Sequence, residues 1–117
     1  MPATKTAELE KALPIARAAV DLQPWNADHR NTLGLVYYRL ARHKDAVAIL
    51  EKNLSMDHVF AGYDFYILAM SYHHLGDAAK AKEFFDRWHD QHEARLPGQR
   101  ASLRAFRAEA NKLLSSK

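Results

Sequence analysis

Two stretches of this 117-residue chain can be laid on one another, one from Asn31 to Lys52 and the other from Tyr66 to Arg87. Leu33-Gly34-x-x-Tyr37 followed by Ala46 in the first answers to Leu68-Ala69-x-x-Tyr72 followed by Ala81 in the second, thirty-five residues on at every position. Each unit reads as a pair of amphipathic helices parted by a short polar break. A repeat of this period means that the units stack on one another.

The residue types follow from the packing that stacking demands. Two antiparallel helices approach closely only where one offers a small side chain to the bulk of the other. Gly34 and Ala69 hold that small position on the first helix of each unit, and Ala46 and Ala81 hold it on the second. Tyr37, Tyr72, Leu50 and Phe85 fill the space around these contacts. The pattern resembles the tetratricopeptide repeat, W-x2-L-G-x2-Y, then A-x3-F, then P. Leu33, Gly34, Tyr37, Ala46 and Leu50 match it in the first unit, and Leu68, Tyr72, Ala81 and Phe85 in the second. Arg30 and Phe65 stand where the pattern has Trp, and no Pro closes either unit.

The resemblance implies an all-α, tetratricopeptide-like α-solenoid: two helix-turn-helix repeats flanked by capping helices at both ends. A partial unit leads in, where Ala12-x3-Ala16-x2-Ala19-x4-Pro24 repeats the second-helix half of the pattern. Pro14 sits inside that helix and removes a backbone hydrogen bond, which predicts a kink and a late helix start. After Pro97-Gly98 the apolar residues Leu103, Phe106, Ala110 and Leu113 recur at helical spacing, so one face can close the open side of the last repeat. The expected helices are about 7–22, 27–40, 44–55, 60–75, 78–95 and 99–114. They form one domain over residues 1–117: an N-terminal helix and partial repeat at 7–26, repeat 1 at 27–59, repeat 2 at 60–96 and a capping helix at 97–117. Gly76, in the break of the second repeat, suits a left-handed helix end.

Composition agrees with a single domain and excludes several classes. An apolar content of 48% is ordinary for a globular chain. No run approaches the length of a membrane span, and residues 1–20 have no signal-peptide apolar region. The absence of Cys excludes disulfides and thiolate chemistry, fits a reducing compartment, and makes the cytoplasm the expected location. The net charge of +3 is uneven: from Gly98 onward the chain carries Arg100, Arg104, Arg107, Lys112 and Lys117 against Glu109 alone. Arg100, Arg104, Arg107 and Asn111 follow one helical stripe, which reads first as the solvated face of the capping helix, and only second as a patch for an acidic partner or phosphate. Without interleaved exposed aromatics, nucleic acid is disfavoured.

Seven His prompt a search for metal chemistry. His89 and His92 share a helix spacing, with Asp86 and Glu93 nearby, but zinc asks for three or four ligands and a supporting shell. No metal and no cofactor is expected. Catalysis is not expected either, because no phosphate loop, nucleophile elbow or offset carboxylate pair occurs.

What remains is the surface a stack creates, a concave groove lined by the first helix of each repeat. Carrying the groove positions of tetratricopeptide domains onto this sequence implies Asp28, Asn31, Leu35, Tyr38, Arg39, Tyr63, Tyr66, Met70, His73 and His74 as the partner-binding set. Tyr38, Tyr63 and Tyr66 stand out because the packing pattern does not call for them. The clamp that holds a chaperone's terminal carboxylate in some members is absent, since Asn31, Leu35, Thr32, Tyr63 and Ile67 fill its positions. A closer likeness, to modules of large multidomain bacterial proteins, implies that these residues form part of something longer. The expected function is a non-catalytic protein–protein interaction module taking a peptide or protein segment in the groove. The alternative is a structural module that self-associates, as a homodimer, through exposed repeat faces.

Overall fold

The computed structural model describes residues 3–54, 61–91 and 100–115. Within those segments the side chains of residues 6–54, 63–87 and 104–115 are described. The described residues are helical, with no strand among them. Six helices follow one another: α1 (Ala3–Leu22), α2 (Ala27–Arg39), α3 (His43–Glu51), α4 (Ala61–His74), α5 (Ala78–Gln91) and α6 (Arg100–Ser115).

The expected order of helices is present, with two changes at their ends. The first helix begins at Ala3 and runs through Pro14, so the late start expected from that proline is corrected. A single proline removes one backbone donor, and the surrounding turns, rich in Ala, Glu, Lys and Leu, are strong helix formers that carry the helix past it. Ala16 is buried and Leu13 and Val20 pack against the core, which anchors α1 on both sides of the proline. The third helix stops at Glu51, with residues 52–54 in a turn. The fifth is described as far as Gln91, and the rest of its expected span lies outside the described residues.

Several helix ends have an identifiable local cause. Asn26 caps α2: its Oδ1 accepts from the backbone N–H groups of Asp28 at 2.9 Å and His29 at 3.2 Å. At the other end of α2, Ala41 takes a left-handed conformation with φ 62°, and the N–H of Arg42 reaches back to the Tyr37 carbonyl at 2.8 Å. The break after α4 repeats this geometry thirty-five residues later, with Gly76 at φ 86° and the N–H of Asp77 bonded to the Tyr72 carbonyl at 2.9 Å. Both are Schellman endings, in which a left-handed residue lets the next amide close on the last turn. Asp77 then opens α5, its Oδ1 accepting the Lys80 N–H at 3.0 Å.

The core runs along the seams of the stack. Leu33, Tyr37, Ala46 and Leu50 are buried in the first pair, and Phe65, Leu68, Ala69, Tyr72, Ala81 and Phe84 in the second. Tyr72 stacks on Phe84 at 5.6 Å between ring centres, which fixes the approach of α4 and α5. Gly34 faces Leu50: a Cβ at Gly34 would lie 2.5 Å from the Leu50 Cγ, so the small residue makes room for a fully buried leucine. The repeat pattern pairs Gly34 with Ala46, whereas the close neighbour is one helical turn further along α3.

The slot where the repeat pattern has Trp is filled, at Arg30, by a buried polar network. The Arg30 Nε donates to the Asn53 Oδ1 at 2.6 Å, and its guanidinium also meets the Pro24 carbonyl. The Asn53 amide donates to the Ala27 carbonyl at 3.1 Å and to the Asp64 Oδ2 at 3.0 Å, while Asn31 donates to the Asp64 Oδ1 at 2.7 Å. Arg30, Asn53 and Asp64 are all buried. Buried polar groups are tolerated when partnered, and these partners join the first pair to the start of the second.

Candidate functional site

The first helices of the two pairs, α2 and α4, lie side by side, and α6 rests on α4, reaching α2 through Glu109 and Arg39. It packs more extensively against α4 than against α5. A helix continuing the stack would do the reverse, as α4 does on the preceding pair, where it contacts α3 more than α2. The last helix therefore covers the face of α4 and reaches α2.

Its apolar stripe decides how it sits. Ala110 is fully buried, and Phe106, Leu113 and Leu114 pack against the core. These positions recur at helical spacing, so the inward face expected for the last helix is present at Phe106, Ala110 and Leu113. The side chain of Leu103 lies outside the described residues. Phe106 meets Tyr63 edge to face, with ring centres 5.2 Å apart and planes at 89°. Glu109 takes both arms of the Arg39 guanidinium, at 2.5 and 2.8 Å. The same guanidinium lies 5.7 Å from the Phe106 ring centre and 5.5 Å from that of Tyr38. Beside this contact is a hollow of about 290 Å³ lined by Tyr38, Glu109, Lys112 and Leu113.

Electrostatics follow the geometry. Burial pushes the Tyr38 hydroxyl up to about 12, with the Glu109 carboxylate adding to the shift and Arg39 opposing it. The hydrogen bonds that the Arg39 guanidinium donates to Glu109 raise it against the lowering effect of burial. At the far end of the face, the rings of His43 and His74 stack 4.3 Å apart and 8° from parallel. Burial lowers both imidazoles, and each is lowered further by a neighbouring histidine, His74 acting on His43 and His73 on His74.

The residues expected to line the groove divide into three groups. Arg39 and Tyr63 lie under α6, half-buried, and Tyr38 lies beside them, 8% exposed, its hydroxyl 3.5 Å from the Met70 sulfur and 3.4 Å from the His74 Nε2. Tyr66 and Met70 are fully buried, and the Tyr66 ring stands 5.7 Å from Phe85, so it faces α5 rather than the groove. Asp28, Asn31, Leu35 and His73 are half-buried and His74 is exposed. The expectation that Tyr38, Tyr63 and Tyr66 have no part in packing is thus corrected. The cause is that α6 and α5 supply neighbours which the pattern of the repeats alone does not include.

Sequence reasoning missed Glu109 as a partner for Arg39. A signal was present, since Glu109 is the one acid among the basic residues that follow Gly98. Of the basic stripe on α6, Arg104 and Asn111 are exposed, Arg107 is half-buried, and the side chain of Arg100 lies outside those described. His89, His92 and Glu93 lie outside the residues whose side chains are described, and among those that are described no group of three metal-ligating side chains occurs. No helix among the described residues is long and apolar enough to cross a membrane.

A second surface lies at the opposite end. A hollow of about 220 Å³ opens between α1 and α2, lined by Ala12, Ile15, Ala16, Ala19, His29, Thr32 and Val36. Ile15, Leu22 and Trp25 stand exposed around that end, Trp25 at 68%.

Comparison with known proteins gives one family. The family model described as Tetratricopeptide repeat matches residues 65–87, the stretch that spans most of α4 and α5. Searches of curated proteins and of solved structures returned no match.

Proposed function

We propose that this chain, which carries a tetratricopeptide repeat at residues 65–87, is a non-catalytic protein-interaction module whose α2–α4 face takes a peptide or protein segment. One observation carries the reading: that face already holds a helical segment, α6, through an aromatic pair, a two-armed ion pair and a buried small residue. Those are the elements of a protein-binding surface, with Tyr and Arg as anchors and apolar contacts around them. Asn31, Leu35, Tyr38, Arg39, Tyr63 and His73 are its working residues; Tyr66 and Met70 support it from beneath, and Asp28 and His74 border it.

A photo-crosslinking side chain placed at Asn31 or His73 tests this in cells, with Lys82 on the exposed side of α5 as the control. Adducts to a discrete protein partner should form from the two groove positions and not from position 82. Adducts from position 82 alone would place the interaction elsewhere.

The exposed Ile15, Leu22 and Trp25 favour a second reading, self-association through the α1 end. Sedimentation of the chain against concentration separates the two. A monomer at all concentrations removes self-association, whereas a dimer broken by Ile15→Gln with Trp25→Gln supports it.

A further inference from the structure

We infer that α6 is a displaceable internal ligand, and that the natural occupant of the α2–α4 face is an amphipathic helix of a partner protein with the same recognition stripe. The inference rests on the reading of that face as the binding surface and specifies what it takes. The stripe is an aromatic residue at position i, an acid at i+3, a small residue at i+4 and a leucine at i+7, positions that Phe106, Glu109, Ala110 and Leu113 fill in α6. Residues so spaced share one side of a helix.

Each position has a counterpart on the receiving face. The aromatic residue meets the Tyr63 ring edge to face at 5.2 Å and lies within reach of the Arg39 cation. The acid is gripped by both arms of Arg39, a fork whose geometry matches a carboxylate. The small residue is Ala110, fully buried, where a larger side chain has no room. The leucine packs against the core and lines the same hollow as Tyr38.

Three features make α6 a removable occupant rather than a fixed part of the stack. It lies off the path that a further helix of the solenoid would take, more on α4 than on α5. Its ion pair remains open to water, with Arg39 and Glu109 side chains 33% and 37% exposed, so a partner's carboxylate can reach Arg39 and exchange with Glu109. Its seating is incomplete, leaving the hollow of about 290 Å³ beside Lys112 and Leu113 that a partner helix with a bulkier residue there would fill.

The test uses the full chain and a fluorescein-labelled synthetic peptide of residues Arg100–Ser115 as the probe. Tethering keeps α6 at a high effective concentration, so the wild-type chain should bind the peptide poorly, and Glu109→Ala or Phe106→Ala in the chain should tighten binding by about tenfold or more. In the Glu109→Ala chain, adding Arg39→Glu should abolish binding of the unmodified peptide, and a peptide carrying Glu109→Arg should restore it. A peptide with Ala110→Leu should fail. Helical content is followed throughout; if Phe106→Ala unfolds the chain, the half-exposed Glu109→Ala variant still decides. Equal binding by all chains, or none by any, overturns the inference and makes α6 a permanent cap. Dimers formed by the variants without peptide also overturn it, because the occupant is then the α6 of a second copy. If groove crosslinks to a partner persist while the peptide arms fail, this inference falls and the binding surface stands.

Discussion

Ala41 and Gly76 hold the same left-handed position in the two repeats, and only one of them is suited to it. A Cβ in that conformation crowds the following carbonyl, a cost of about 1–2 kcal/mol that glycine escapes, partly offset by glycine's greater freedom when unfolded. Ala41→Gly should therefore stabilise the chain by about 0.5–1 kcal/mol, and Gly76→Ala should destabilise it by about 1 kcal/mol. Chemical denaturation of both variants checks the pair of opposite signs. Gly34 presents the other kind of constraint, since its place is set by space and not by φ. With Leu50 fully buried and directly over it, Gly34→Leu should overpack the seam and cost about 1–3 kcal/mol in a thermal or denaturant melt. Both sites show what sequence can and cannot convey at this scale. Gly34 is legible because a small residue at a repeat contact has a packing reason, and Gly76 because glycine marks a helix end. Ala41 carries no such mark, and its conformation is visible only by aligning it with Gly76.

Among elements, the joint between α3 and α4 carries a pair of histidines shifted by its geometry. The stacked rings of His43 and His74 face each other and Tyr38, with His73 beside His74 and Arg39 beyond Tyr38. No carboxylate is among these neighbours to favour the protonated rings. Their folded-state values lie below the ordinary 6.5, so the unfolded chain takes up protons first as pH falls. The stability that the neutral pair contributes is complete above about pH 6.5 and is lost as pH drops through the window beneath it. Melting temperature should fall between pH 7.5 and 5, and His43→Gln should flatten that part of the profile. A wild-type profile unchanged over this range would remove the pair as a titrating joint. Helix α6 illustrates the limit of periodicity for elements. The spacing of Phe106, Ala110 and Leu113 identifies its inward face, but spacing within one helix says nothing about which other helix receives it. The receiver is fixed by Arg39 and Tyr63, which pair with Glu109 and Phe106 across a long separation in the chain.

At the scale of the molecule, two kinds of joint hold the repeats together. One is the apolar seam around Leu50, Leu68 and Ala81, predictable because the same small and large residues return after thirty-five positions. The other is the network of Arg30, Asn53, Asp64 and Asn31, which sequence reading registers only as an Arg in a Trp slot. Polar side chains from three separate segments converge there, and no local pattern announces it. Asn53→Leu would leave Arg30 without one acceptor and Asp64 without one donor in a buried setting, and should cost about 2–4 kcal/mol. Unfolding by urea measures this, and a loss below about 0.5 kcal/mol would mean that the network is dispensable.

The proposed function depends most on where α6 lies, because a helix on the α2–α4 face occupies the binding surface and a helix on α5 merely extends the stack. The chain has no cysteine, so Lys112→Cys accepts a single nitroxide label at an exposed position of α6. Paramagnetic broadening of amide signals then reads its neighbours. Broadening should be strongest at Tyr38 and Arg39 of α2, since Lys112 and Tyr38 line the same hollow, and weaker along residues 80–87 of α5. Broadening concentrated on α5, with Tyr38 and Arg39 sharp, would contradict the docking of α6 in the groove and the function drawn from it.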